Sequence, residues 1–487
     1  MEQAEFRFFG FKEKDRRILA DGTLNVKFTL YDGDTRRWLG VTVVGVHRTM
    51  TDEWNGTSAV IGWTPIHSAL GAGIDSGRLG PDVTAVEVTF GGTILSISRD
   101  AGGDATPYVH YVSADSYGLP LDMETVARDQ LVELGRLAPW VDMVTTPPST
   151  RSEKLVFKYY SDTDGIPRVW LEVQWLARLS GHPHVMPIRH LVVEEGPERG
   201  VVGFTVPFLP GGSLEASRTT RPFKLKWAKQ LMQVVDDLNL QHGIAHTDVR
   251  LRNIMIDPAT DNLVLIDFGT AARQGELNDL AIQGNRDVAS VIVLVEELVT
   301  RSPTDTEWVT TDLHCDHLNG QGTEGLLQRR PWIADPDALL DHPAEDYRVA
   351  LVDWLARRRA DPRHYHDHAD DAPQAFDFPD HMPMPTAEEV RDLVNEQEVP
   401  CWNFLRRDAV RTGRAVVDWV RPATVALDRS RTLLATGEYL DDDTADETEG
   451  PGQEARRAAK GEKVAKNQRG VRKRRSPRVA SLLKKGG

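Results

Sequence analysis

The chain has 487 residues, of which 40% are apolar, 27% are charged and two are cysteine. This length exceeds what one hydrophobic core organises and predicts two or three domains with tails; the composition is that of a globular protein, and Cys315 and Cys401 alone exclude a disulfide framework or a thiolate zinc site and suit a reducing compartment. The formal charge of −15 is uneven, because thirteen Lys/Arg against two Glu give residues 454–487 a charge of +11 and leave the remainder at −26, so nucleic-acid contact, which needs clustered cations, is expected from that tail alone.

In chain order, the opening stretch MEQAEFRFFGFKEKD has no basic segment followed by an apolar run, and no run in the chain approaches the roughly eighteen apolar residues of a membrane helix. The expectation is a protein of the cytoplasm or nucleus with no membrane partner. Residues 1–120 alternate apolar and polar in short runs, such as Leu24, Val26, Phe28 and Leu30, then Val86, Val88 and Phe90. Breaks at Asp32-Gly33-Asp34 and Gly91-Gly92 separate them, which predicts a small antiparallel sheet or barrel of unassigned role. From about residue 123 helix and strand mix: Met123–Leu134 reads as a helix leading into the strand Lys154–Tyr160, and the domain boundary is placed there.

The segment Gly243-Ile-Ala-His246-Thr-Asp248-Val-Arg-Leu-Arg-Asn253-Ile-Met-Ile256, followed by Leu263-Val-Leu-Ile-Asp267-Phe-Gly269, carries the chemistry. Apolar strands ending on polar groups set two carboxylates, Asp248 and Asp267, and the Asn253 carboxamide around one point. Mg-ATP chemistry requires such a set: hard oxygen ligands for the metal and a base for an acceptor hydroxyl.

Further on, His314, Asp316 and His317, and later His364, His366 and His368, invite a metal, but without a defined element or partner cysteines they read as solvated loops. The second group lies in an acidic, His-rich loop at about 360–385. Residues 441–487 run from an acidic block through Gly/Pro to a basic run, and are expected to be disordered. Within 456–475 the basic clusters read equally as a two-part nuclear import signal or a generic basic tail.

The central segment resembles the catalytic loop and metal-binding triplet of the eukaryotic protein kinases, H-R-D-x-x-x-x-N and D-F-G. Other parts follow in order. Lys158 ends Leu-Val-Phe-Lys, which is similar to V-A-I-K. Glu172 opens a stretch that looks like the kinase αC helix and its His-Pro turn, and would hold Lys158 by an ion pair. Val206-Pro-Phe-Leu-Pro-Gly-Gly-Ser-Leu214 resembles the hinge; Pro207, which has a carbonyl but no N–H, can accept from adenine while Leu209 donates. Asp287–Val299 resembles the αF helix, whose Asp anchors the catalytic loop. His246 would be a structural support, with Phe268 and Leu176 as neighbours. Arg221–Trp227, Val234–Leu240 and Leu433–Tyr439 also look like a fungal group of atypical kinase-like proteins.

The resemblance implies an α+β, bilobal kinase-like fold with a β-rich N-lobe (123–206) and a helical C-lobe (207–360). A small β-rich domain (1–120) precedes it; an extension (361–440) and a disordered basic tail (441–487) follow. It implies ATP and Mg²⁺ as cofactors. Lys158, held by Glu172, would bind phosphates, Val206, Pro207 and Leu209 adenine, and Asn253 and Asp267 the metal, while Asp248 orients the acceptor and takes its proton.

Three features depart from the family. The glycines of G-x-G-x-x-G are missing: the matching stretch, Leu137–Val144, has Ala138, Trp140 and Asp142 near those positions, which is expected to weaken triphosphate binding or change the loop path. The twenty residues from Asp267 to Asp287 are short for an activation segment and lack A-P-E. Thr270 is the only hydroxyl residue among them, and Thr247 replaces an arginine, so activity is expected to be independent of phosphorylation there. The main reading is a protein serine/threonine kinase-like phosphotransferase. A small-molecule kinase of the aminoglycoside or choline type shares part of the motif, and a pseudokinase scaffold would explain the lost glycines.

Overall fold

The computed structural model describes residues 7–19, 23–47, 63–119, 123–146, 153–162, 165–194, 200–273, 281–301, 327, 331–361, 382, 405–422 and 432–439. Both histidine groups, most of the loop at 360–385 and the whole basic tail lie outside them.

Alternating side chains give the central N-terminal strands one apolar face, and the pairing keeps those faces together. Strands β1 (Phe8–Ile18), β2 (Thr23–Asp32) and β3 (Arg37–His47) form an antiparallel meander. Helix α1 (Trp63–Asp75) then crosses over to β4 (Ala85–Thr89), parallel to β3, and β5 (Ile94–Ser98) completes a sheet in the order 1-2-3-4-5. Leu24, Val26, Phe28 and Leu30 are buried in one cluster with Ile66, Leu70 and Ile74 of the helix. The expected antiparallel sheet is therefore corrected to a mixed one. A parallel neighbour needs a long crossover, and α1 supplies it despite two glycines that lower its helix propensity. Gly73 has a packing reason: a Cβ there would stand 2.8 Å from the Leu79 side chain.

A second sheet runs in the order 6-10-11-9-8-7. Its strands are β6 (Thr125–Ala127), β7 (Val132–Ala138), β8 (Val141–Thr145), β9 (Leu155–Tyr159), β10 (His190–Val193) and β11 (Val201–Pro207), with α2 (Ile166–Arg178) between β9 and β10. The helix expected over Met123–Leu134 is not formed. Its apolar residues have helical spacing, but Val126 pairs with Val192 in β10 and Val132 pairs with Thr145 in β8. Sheet pairing satisfies this backbone, and a tight turn at Arg128–Gln130 joins the two strands. Arg128 pins that turn through a 2.6 Å ion pair to Glu194.

The rest of the core is mainly helical. It contains α3 (Leu214–Ser217), α4 (Leu225–Asp236), the short strands β12 (Ile244–Ala245), β13 (Ile254–Asp257), β14 (Asn262–Leu265) and β15 (Ala272–Arg273), then α5 (Ala281–Thr300), α6 (Ala344–Ala360) and α7 (Arg406–Arg411). β12 pairs with β15 and β13 with β14. Trp227 and Leu231 of α4, Val291 and Val295 of α5, and Tyr347 and Trp354 of α6 share one apolar cluster with the second sheet. Each such side chain contributes about 1.5–3 kcal/mol on burial. The class is mixed α+β, and no described helix is long and apolar enough to cross a membrane.

Candidate active site

Strand β9 buries Leu155, Phe157 and Tyr159 on one face, which turns Val156 and Lys158 to the other. Gly203 of β11 lets the neighbouring strand approach: a Cβ there would lie 2.3 Å from the Lys158 carbonyl oxygen. On the Lys158 side, α2 presents Glu172, 3% exposed, with Oε2 2.6 Å from Lys158 Nζ. The same Nζ donates to Asp267 Oδ1, also at 2.6 Å. Burial opposes the Lys158 charge, but the two carboxylates outweigh it and hold the ammonium above its ordinary range. Burial pushes the Glu172 carboxyl up against the pull of Lys158. At Asp267 the burial cost is outweighed by Lys158 and the carboxyl is held below its ordinary range. The Trp175 indole N–H on α2 donates to Ala271 O at 3.2 Å, which ties the helix to the segment following Gly269.

The second group of residues is carried by the segments around β12 to β15. Thr247 and Asp267 both take left-handed backbone, with φ of 67° and 69°. For residues other than glycine this costs on the order of 1–3 kcal/mol and persists only where the surroundings fix it. Asp287, 1% exposed, does so for the loop: Oδ2 accepts from His246 N at 2.8 Å and Oδ1 from Thr247 N at 2.9 Å. The His246 ring stands edge-on to Phe268, centroids 4.7 Å apart, with Nε2 3.0 Å from Ile266 O. Leu176 is buried in the same core. Asn253 donates through Nδ2 to the backbone oxygen and Oδ2 of Asp248, both at 2.9 Å. Its backbone oxygen accepts from Ile266 N at 3.0 Å, which binds the loop to the residue before Asp267. Arg250 and Arg252 flank Asp248, Arg250 by a short ion pair and Arg252 at 3.2 Å.

A connector follows β11. Val206 and Pro207 pair with Val156 and Leu155, and Phe208 N–H is taken by Lys154 O at 3.0 Å. Among the described residues no backbone acceptor takes the Leu209 N–H, and Leu209 O accepts from Gly212 N at 3.2 Å. Gly211 must be glycine for space, since a Cβ would meet Ile256 O at 2.2 Å.

The hairpin of β7 and β8 takes a different path from the one its sequence suggests. Asp142 pairs with Phe157 and so shares its face, opposite to that of Lys158. There it is fully buried, 2.5 Å from Arg36 Nη2. Trp140, at φ 55°, packs edge-on against Phe9 with centroids 4.7 Å apart and donates from Nε1 to Ser161 Oγ at 3.1 Å. The acidic and bulky residues expected to oppose a triphosphate therefore have their side chains bound to the N-terminal sheet and the end of β9.

Sequence reasoning grouped Lys158, Glu172, Asp248, Asn253, Asp267 and Asp287; contacts link Lys158 to Glu172 and Asp267, Asn253 to Asp248, and Asp287 to the amides of His246 and Thr247. It missed the support below. Asn239 donates to Asp287 Oδ2 at 3.1 Å and to Ile244 O at 2.7 Å; Arg358 of α6 reaches Asn239 Oδ1 at 2.9 Å and pairs with Asp236, which also accepts from Trp354 Nε1 at 2.8 Å. Arg358 and Trp354 lie more than a hundred residues from their partners and Asn239 lies 48 from Asp287, so no spacing signals them.

The donor set that could hold a cation is hard oxygen: the Asp267 carboxylate and the Asn253 side-chain carbonyl, whose amide nitrogen is committed to Asp248. Such donors fit Mg²⁺. Among the described residues no group of three or more His, Cys, Asp or Glu is gathered as a metal site. No family model matches the sequence, and no curated protein matches it.

Proposed function

We propose that the protein is an ATP-dependent phosphotransferase of bilobal, protein-kinase-like architecture acting on a hydroxyl acceptor, with a protein serine or threonine as the preferred class. The observation that carries the reading is the chain Glu172–Lys158–Asp267. It joins the second sheet to the segment beside the Asp248–Asn253 loop, and a half-buried cation held between the buried Glu172 and a second carboxylate is a costly arrangement for structure alone.

In this reading the adenine lies against the connector, accepting from Leu209 N–H and donating to the Pro207 carbonyl oxygen, with Val206 alongside. Lys158 exchanges the Asp267 carboxylate for phosphate oxygens while Glu172 keeps its ammonium in place. Bound Mg²⁺, held by Asn253 and Asp267, would supply neutralisation of phosphate charge. Asp248, fixed by Asn253 and flanked by Arg250, orients the acceptor hydroxyl and accepts its proton. The short segment from Asp267 to Asp287 leaves little platform for an extended peptide, which keeps a small-molecule hydroxyl as the alternative acceptor. The burial of Asp142 on the face opposite Lys158, and the packing of Trp140 against Phe9, weaken the case for a non-catalytic scaffold that rests on the missing glycines. Calorimetric titration with ATP tests the reading: binding is expected with Mg²⁺ and strongly reduced in Asp267→Asn, and equal binding by both proteins would overturn it.

A further inference from the structure

The turn between β2 and β3 of the N-terminal sheet carries Arg36, whose side chain is fully buried. Its Nη2 lies 2.5 Å from Asp142 of β8 and 3.1 Å from Glu133 of β7, and Nη1 donates to Ala435 O at 2.6 Å. The guanidinium also stands over the Tyr159 ring of β9, 4.9 Å from its centroid. One side chain thus touches three neighbouring strands of the second sheet, and two of its contacts adjoin Lys158. Tyr159 follows Lys158 in β9, and Asp142 follows Val141, the residue paired with Lys158 across β8.

The hairpin of β7 and β8 is fastened to the same turn. Arg136 Nη2 lies 2.7 Å from Asp34 Oδ1. Trp140 holds its left-handed backbone, which a residue other than glycine keeps only where the surroundings fix it. Its ring packs on Phe9 of β1 and on Tyr160, with centroids 4.7 and 5.1 Å away, and its backbone oxygen accepts from Tyr159 N at 3.0 Å. Trp38 of β3 donates from Nε1 to Ser161 O at 3.3 Å. A glycine-rich turn can adjust its backbone to a phosphate; this hairpin turns on Pro139 and Trp140, and side chains of the N-terminal sheet fix its place. The strand pair that carries Lys158 is therefore held from behind, while Glu172 holds the ammonium in front.

We propose that Arg36 is a positioning residue for Lys158, acting through Asp142 and Tyr159, and that the N-terminal sheet, with Asp34 anchoring Arg136, sets the phosphate-binding half of the nucleotide site. This role rests on the phosphotransferase reading and gives the N-terminal sheet a function in it.

Calorimetry of the full chain with Mg-ATP and with adenosine tests it, because Lys158 serves the phosphates and adenosine has none. Affinity for Mg-ATP is expected to fall about fivefold in Arg36→Lys and in Arg136→Gln, the lower end of coupling between linked sites, with adenosine bound as by the parent. Arg136→Lys, which keeps a charge beside Asp34, should bind Mg-ATP as the parent does. The Arg136 side chain is 14% exposed, so its variants carry the test even if Arg36→Lys does not fold. Unchanged Mg-ATP affinity in Arg136→Gln, or in folded Arg36→Lys, would overturn the proposal. Equal losses for Mg-ATP and adenosine would also overturn it, since they mark a general loss of structure. A parent that binds no Mg-ATP would instead overturn the reading of the site on which the proposal rests.

Discussion

Replacing Asp287 with alanine isolates the support beneath the Asp248 loop. Asp287 is 1% exposed and accepts from His246 N at 2.8 Å, Thr247 N at 2.9 Å and Asn239 Nδ2 at 3.1 Å. Alanine leaves the buried His246 amide and the part-buried Thr247 amide without acceptors, at about 1–3 kcal/mol each and hence about 2–6 kcal/mol together. Asn239 keeps Ile244 O and adds little. Thr247, a β-branched residue at φ 67°, also loses the contact that holds its left-handed backbone. Water entering the gap favours the lower half of the range, so urea unfolding should show a loss of about 3 kcal/mol. Asp287→Asn, which keeps one acceptor oxygen, should fall between parent and alanine. A loss below about 1 kcal/mol for Asp287→Ala would refute the claim that these bonds fix the loop.

Breaking the pair on α2 should also register. Lys158→Met strands the buried Glu172 carboxylate and is expected to cost about 3 kcal/mol, with the Lys158→Met/Glu172→Met double variant recovering part of it; additive losses in urea unfolding would contradict a direct pair. Gly203→Ala should destabilise by about 2 kcal/mol or more, because the added Cβ must displace β9, and an unchanged unfolding midpoint would refute that packing. Stability should fall as pH drops from about 7.5 to about 5.5. Burial lowers the pKa of His67, His184 and His242, so the fold favours their neutral forms; this contribution is complete above the unfolded value of about 6.5 and is lost below it. A thermal midpoint that does not decline across that window would contradict the assignment.

The parts of the site that could be read directly are those whose chemistry is local. Asp248 and Asn253 lie five residues apart on one loop, and Asp267 lies two residues beyond the end of β14, so a short span carries this part of the pattern. The α2 pairing of Lys158 and Glu172 could be anticipated only because both residues have strong sequence contexts fourteen residues apart. Sheet registers were harder. Met123, Val126, Ala127, Leu131 and Leu134 have the spacing of a helix face, and only the distant partners Val192 and Thr145 turn the stretch into strands. The crossover helix α1 was hidden by Gly71, Gly73 and Pro65, and the parallel pairing of β3 with β4 went with it. The buried polar network of Asp236, Asn239, Asp287 and Arg358 has no local signature, and the same holds for Arg36, which reaches Asp142 from 106 residues away.

The central claim is that Lys158, Asp248, Asn253 and Asp267 form one phosphotransfer site. Mg²⁺-dependent conversion of ATP to ADP, measured with protein and small-molecule hydroxyl acceptors, tests it most directly when wild type is compared with Asp267→Asn and Asp248→Asn. The account predicts turnover by the wild type with at least one acceptor class and a loss of about a hundredfold or more in both variants, as removal of a general base or metal ligand implies. Wild-type turnover no greater than that of Asp267→Asn with every acceptor would contradict it.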